Sequence, residues 1–131
     1  PHPGEMARML KVSTQDVLAD RENLATAFAQ KYGVTVVLKG HHTLIASPDG
    51  ELVENTTGNN GMGTGGSGDV LSGLIGGFLA QGMSGFDASN LGVYVHGLAG
   101  DIAAERFSAR GMIARDIARC IPDAWLALEQ G

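Results

Sequence analysis

The sequence predicts an α/β fold, and three observations carry that reading. A helical pattern from Thr14 to Tyr32 stops at Gly33 and is followed at once by the β-branched run Val34 to Leu38, which is the order of half a strand-crossover unit. A loop with six glycines, Asn55 to Gly68, opens a helix with one apolar face, Asp69 to Ala80. Beyond it only helical patterns remain, out to Gln130.

Taken in order, Ser13 with Asp16 three residues later has the form of a capping box, and Val17, Leu18, Leu24, Ala25 and Phe28 recur at near-helical spacing after it. Val34 to Leu38 has only Thr35 as a mildly polar member, the pattern of a strand covered on both faces, as parallel strands usually are. Thr43 to Ala46 and Glu51 to Glu54 flank Ser47-Pro48-Asp49-Gly50, whose Pro and Gly suit a type I turn ending in a left-handed residue. That makes a hairpin at the sheet edge. In the helix Asp69 to Ala80, Val70, Leu71, Leu74, Ile75, Phe78 and Leu79 form the apolar face and Gly82 is placed to end it. Its opposite face is Gly73, Gly76, Gly77 and Ala80. Each mid-helix glycine costs about 1 kcal/mol relative to Ala, so these are expected to pack closely against a backbone or a ligand. A long helix follows, Asp87 to Phe107, then two short ones, Ile113 to Cys120 and Pro122 to Gln130.

Composition narrows the function. At 131 residues, with 44% hydrophobic and 18% charged residues, the chain can bury one core but is short for two ordinary domains. Its net charge of -5 argues against a nucleic-acid surface, which needs clustered Lys and Arg. Arg106, Arg110, Arg115 and Arg119 come nearest to a cluster, but Glu105 and Asp116 interrupt them, as on a solvated helix face. Cys120 is the only cysteine, which rules out an internal disulfide and fits a cytoplasmic location. No apolar run approaches the roughly 20 residues that span a bilayer, so no membrane role is expected.

Gly63-Thr64-Gly65-Gly66-Ser67-Gly68-Asp69 is the most informative stretch. Backbone amides at a helix N-terminus are unpaired and partly positive, and glycines let them converge on an oxyanion, here a phosphate. Ser67 can add a hydroxyl donor. A carboxylate at Asp69, in the first helical turn, would repel that phosphate, which makes sense if it takes a proton from a hydroxyl that attacks phosphorus. The plainer reading is that Asp69 only complements the helix dipole and the glycines only turn the chain, but six glycines exceed what a turn needs. Gly63, Gly65 and Gly68 also match G-x-G-x-x-G, yet a polar loop stands where the dinucleotide fingerprint needs a strand. A P-loop needs Lys-Ser or Lys-Thr after the last glycine, where this chain has Asp69-Val70.

The run Gly65-Gly66-Ser67-Gly68-Asp69-Val70-Leu71-Ser72-Gly73 resembles the ribokinase-superfamily signature of an anion-hole loop followed by the catalytic Asp. Within that superfamily, Pro1-His2-Pro3-Gly4-Glu5-Met6, Leu38-Lys39-Gly40 with Thr43, Asn59-Asn60-Gly61-Met62, His96-Gly97-Leu98-Ala99-Gly100-Asp101, and Asp116 with Ile121-Pro122 resemble ADP-dependent NAD(P)H-hydrate dehydratases. The resemblance implies the C-terminal portion of a ribokinase-like three-layer α/β sandwich, with residues 1–131 forming part of one nucleotide-binding domain whose N-terminal half is absent. It implies ADP, or ATP, as co-substrate for returning hydrated NADH or NADPH to NADH or NADPH, with AMP and phosphate released. It also implies residue roles. Asp69 would be the catalytic base and, with His2, would contact the hydrate, while Lys39, Gly40, His41, His42, Thr43, Gly65, Gly66, Ser67 and Gly68 would hold the nucleotide. His41 and His42 stand where relatives more often carry small residues, and Asn60 where they often carry Pro.

Without the resemblance these positions have plainer readings. Lys39 leaves a strand into a Gly turn, suited to neutralising phosphate or simply solvated; His41 and His42 on the turn are ordinary exposed polar residues. His96, among Val93, Val95 and Leu98, reads first as a satisfied semi-buried histidine and only second as catalytic. No His and carboxylate cluster has metal-site spacing, so Mg2+ is expected to arrive with the nucleotide. A small-molecule kinase acting on a vitamin precursor or sugar hydroxyl uses the same loop and Asp69 and stands as the alternative; a non-catalytic nucleotide sensor would do better with a neutral residue there. A core strand at Val34 to Leu38 needs a neighbour on each side, so the chain alone is expected either to associate, as a homo-oligomer, or to be poorly stable, and to be inactive because half of the substrate pocket lies in the absent half.

Overall fold

The structure is a computed structural model describing all 131 residues. The chain forms two compact units, Pro1–Asn55 and Thr56–Gly131.

The first unit begins with helix α1 (Pro3–Leu10), which the sequence reading left unassigned. His2 is its N-cap: its Nδ1 accepts from the Glu5 amide at 3.2 Å while Glu5 Oε1 accepts from the His2 amide at 2.9 Å, a capping box made with an imidazole in place of a hydroxyl. Pro3, lacking an N–H, suits the first helical position. The single helix expected from Thr14 to Tyr32 is two, α2 (Thr14–Ala19) and α3 (Arg21–Tyr32). The Ser13–Asp16 capping box starts α2 as predicted. At Asp20 the backbone leaves the helix, with φ -144° and ψ 44°, and its carboxylate accepts from Asn23 Nδ2 at 2.8 Å; a short acidic side chain bonding locally competes with helix continuation. The break places Arg21 at the head of α3.

Gly33, at φ 64°, ends α3, and the strands β1 (Val36–Leu38), β2 (Leu44–Ala46) and β3 (Leu52–Glu54) make one sheet in that order. Both pairings are antiparallel, β1 with Val37 opposite Ile45 and β3 with Leu52 opposite Ala46. β1 is paired on one edge with the hairpin strand β2, antiparallel, and of Val34 to Leu38 only Val36 and Leu38 are buried. A short apolar run carries no information about strand direction. The hairpin is as predicted, with Gly50 at φ 95° and the buried Ser47 hydroxyl accepting from the Asp49 and Glu51 amides. Met6, Val17, Ala25, Ala29, Leu38 and Leu44 pack as this unit's core.

The second unit holds a 3-10 turn (Asn60–Met62) and helices α4 (Ser67–Ala80), α5 (Gly85–Phe107), α6 (Ala114–Arg119) and α7 (Ile121–Gln130). Val95, Ala99, Ala103, Ile117, Cys120 and Ala124 form its core, with Phe78 of α4 edge-on to Trp125 of α7 at 5.9 Å. Within this chain the glycine face of α4 has no close neighbour. A Cβ on Gly73, Gly76 or Gly77 would meet nothing within 4 Å. Close approach occurs instead on α5, where a Cβ on Gly92 would lie 2.6 Å from Ile75 Cγ1 of α4 and one on Gly97 would lie 2.8 Å from the Thr57 carbonyl carbon. Counting glycines on a face does not reveal which face a neighbour covers. No helix is long and apolar enough to cross a membrane.

Candidate active site

In the second unit the glycine loop ends at Gly66, the N-cap of α4, held in the left-handed region at φ 90° and ψ -9°. The Ser67 amide donates to Thr64 O at 3.2 Å, and the amides of Asp69 and Val70 donate to Gly66 O. The amides of Gly65, Gly66 and Gly68 make no hydrogen bond within the chain. These three, rather than four consecutive amides, are the donors available to an oxyanion. The Ser67 side chain is buried, and its Oγ lies 3.3 Å from Nε2 of the buried His96 on α5. His96 therefore acts as an internal partner of the loop, in keeping with its plainer reading. Asp69 sits exposed in the first turn of α4, with no hydrogen bond or ion pair on its carboxylate.

In the first unit the turn after β1 carries Lys39 to Thr43. Gly40 has φ 153° and His42 has φ 56°, a left-handed conformation that smaller residues adopt with less strain. Thr43 Oγ1 donates to Gly40 O at 3.3 Å, closing the turn. Arg21, at the head of α3, donates Nη1 to His41 O and Nη2 to His42 O, both at 3.0 Å. The two imidazoles stack at 4.0 Å, and His42 Nδ1 lies 2.7 Å from Glu54 Oε1 of β3. Beside them a cavity of about 400 Å³ is lined by Asp20, Arg21, Glu22, Asn23 and Leu44 among others. The Lys39 amide donates to Pro1 O at 2.8 Å, so the cap residue His2 and the turn are brought together within this unit. The His2 amide, donating to Glu5, holds the Glu5 carboxyl below its ordinary range. Neither unit gathers three His, Cys, Asp or Glu side chains in a metal-binding group.

Arg21 was not singled out from the sequence, because a basic residue in a helical stretch reads as solvated until the helix break at Asp20 is known. Asp101 was noticed only as part of a motif. Its Oδ2 accepts from the Gly58 amide at 3.0 Å and its Oδ1 from Asn59 Nδ2 at 2.9 Å, so it grips the chain leading into the glycine loop.

Free amides at the head of a helix capped by Gly66, with a carboxylate in the first turn of an α/β protein, are an arrangement that can take an oxyanion on a helix N-terminus. The NAD(P)H-hydrate dehydratase family matches residues 1–123, and the chain belongs to that family. It is 48% identical over 119 residues to the ADP-dependent (S)-NAD(P)H-hydrate dehydratase of Neisseria meningitidis serogroup B, covering 90% of this chain and 40% of that protein. Over 130 residues it is 45% identical to the bifunctional NAD(P)H-hydrate repair enzyme Nnr of Moorella thermoacetica, covering 99% of this chain and 24% of that one. The crystal structure of an ADP/ATP-dependent NAD(P)H-hydrate dehydratase from Bacillus subtilis, co-crystallised with ATP/Mg2+, superposes with a TM-score of 0.92 at 35% identity, over 97% of this chain and 46% of that chain. A ribokinase-like superfamily protein from Enterococcus faecalis V583 gives a TM-score of 0.76 at 35% identity, over 97% and 43%. The fold is thus part of a ribokinase-like domain, and the chain spans less than half the length of each of these relatives.

Proposed function

We propose that this chain supplies the phosphate-handling part of an enzyme that dehydrates hydrated NADH and NADPH back to NADH and NADPH at the expense of ADP, releasing AMP and phosphate. The observation that carries the reading is the placement of the Asp69 carboxylate one turn from the three free amides of Gly65, Gly66 and Gly68. Those amides hold the phosphate of the nucleotide, and Asp69 meets the hydrate.

The chemistry follows from leaving-group quality. Hydroxide leaves carbon poorly. Asp69 takes the proton of the hydrate's hydroxyl as its oxygen bonds to the β-phosphorus of ADP, and the bond from that phosphorus to the bridging oxygen breaks to release AMP. The carbon–oxygen bond of the phosphate ester then breaks, phosphate departs with the electron pair, and loss of a ring proton restores the reduced nicotinamide. The free amides stabilise the negative charge that builds on the transferring phosphoryl group. Mg2+ would arrive with the nucleotide and would offset charge on the transferring phosphoryl group.

The test is Asp69→Asn in the full-length protein, assayed with hydrated NADH and ADP and, separately, with thiazole or pyridoxal substrates and ATP. Removing a like charge beside phosphate leaves nucleotide affinity equal or higher, while hydrate turnover falls by about 10²–10⁴, the loss typical of a missing general base. Near wild-type dehydration by the variant overturns the role of Asp69, and turnover of the kinase substrates alone overturns the reaction.

A further inference from the structure

We propose that Asp101 is a positioning residue for phosphate binding by the glycine loop, a role that rests on the reading of Gly65, Gly66 and Gly68 as the phosphate cradle. The stretch from Thr57 to Gly66 has Met62 as its sole large apolar side chain, so burial alone cannot hold it in one conformation. One face of α5 holds it instead. Gly100 leaves room for Met62, since a Cβ there would lie 2.7 Å from Met62 Cγ, and Thr57 Oγ1 donates to Tyr94 O at 3.1 Å. At the centre of this face both oxygens of the Asp101 carboxylate are engaged, Oδ2 by the Gly58 amide and Oδ1 by Asn59 Nδ2. Asn59 Nδ2 donates in addition to Gly100 O at 3.1 Å, and Asn59 Oδ1 accepts from the Gly61 amide at 3.0 Å, starting the 3-10 turn.

The consequence is geometric. Asp101 sets the path of the chain at Gly58 and Asn59, ahead of Gly65, the first of the three cradle amides, and the Ser67 to His96 contact sets it just after Gly66. Both anchors stand on α5, so the amides between them are referenced to one continuous helix of 23 residues. Amides must point at one anion to act together, and a cradle that is ordered beforehand spares the ordering cost on binding. Asp101 is also the single charged group of the clasp, which makes its two bonds charge-assisted and stronger than neutral ones.

The chemistry of the clasp separates positioning from bulk stability. In Asp101→Asn the new amide cannot accept from both Gly58 and Asn59, so one donor faces another. Exchanging the pair, Asn59→Asp with Asp101→Asn, restores the 59–101 contact though not the bond to Gly100 O: the amide at 101 accepts from Gly58 and donates to the acid at 59, which still accepts from Gly61. The measurements, on the full-length protein, are ADP affinity by calorimetry, the kcat and KM for ADP with hydrated NADH, and hydrogen exchange of the amides of residues 63 to 66. Asp101→Asn is expected to weaken ADP binding and raise its KM by about tenfold, the worth of one charge-assisted hydrogen bond, with kcat at saturating ADP within about threefold, under 1 kcal/mol. Loop exchange quickens, and the exchanged pair recovers most of the affinity. Wild-type ADP affinity and loop exchange in Asp101→Asn, or a loss of kcat with KM unchanged, overturns the proposal. Should Asp101→Asn fail to fold, the exchanged pair decides alone: folded with near wild-type affinity it supports the role, and folded with weak affinity it overturns it. A wild-type protein that binds ADP but does not dehydrate the hydrate sinks the proposed reaction and leaves the clasp to be judged on affinity and exchange.

Discussion

Ser67 Oγ lies 3.3 Å from His96 Nε2, and both side chains are buried, so the first residue of α4 turns its hydroxyl into the protein. Ser67→Ala removes that contact between two buried groups, at a cost of about 1 kcal/mol measured by urea denaturation. With the hydroxyl engaged by His96, ADP affinity of the folded variant stays within about threefold of wild type, under 1 kcal/mol. A loss of affinity well beyond that, with stability unchanged, would return the hydroxyl to the phosphate.

Gly66 and Gly65 are neighbours with opposite tolerance. Gly66 has φ 90°, and a Cβ there would stand 3.3 Å from Ala114 Cβ, whereas a Cβ on Gly65 meets nothing within 4 Å. Gly66→Val is expected to strain the backbone by about 1–3 kcal/mol and to weaken ADP binding by at least about tenfold as the cradle opens. Gly65→Ala should melt close to wild type. Calorimetry with ADP on both variants checks the pair, and unchanged affinity in Gly66→Val refutes the cradle.

Asn60 opens the 3-10 turn with Asn59 as its N-cap at φ -150° and ψ 171°. That extended conformation is the one a residue before proline prefers, and the Asn60 amide makes no hydrogen bond within the chain. Asn60→Pro should therefore stabilise the protein by about 0.4–1 kcal/mol, through a less flexible unfolded chain. A lowered melting temperature would show that the turn needs the Asn60 N–H or its side chain.

Cys120 is fully buried between α6 and α7. Burial pushes its thiol up from the ordinary range, with Asp123 and Asp116 acting the same way against the opposing Arg106. A raised folded pKa means that the neutral thiol stabilises the fold below the unfolded value and that this contribution is lost as pH rises through the folded one. Labelling by a disulfide reagent at pH 8 should thus be slow in the native state and fast in denaturant. Rapid native labelling would place the sulfur at the surface.

What the sequence determined by itself is local: the Ser13–Asp16 cap, the hairpin over Ser47 to Gly50, the glycine loop and the helix carrying Asp69 all depend on neighbours within a few residues, and all are present. The family was legible for the same reason, since its motifs are short and contiguous. The tertiary structure decided what distance along the chain conceals. Arg21 meets the turn at His41 and His42 across about twenty residues, and Asp101 grips Gly58 and Asn59 across more than forty. Within the chain β1 pairs antiparallel with β2, and the glycines of α5 rather than of α4 are the ones closely approached. Hydrogen bonds and steric contacts act between atoms a few ångströms apart, so periodicity can show that a face exists but only packing settles what that face meets.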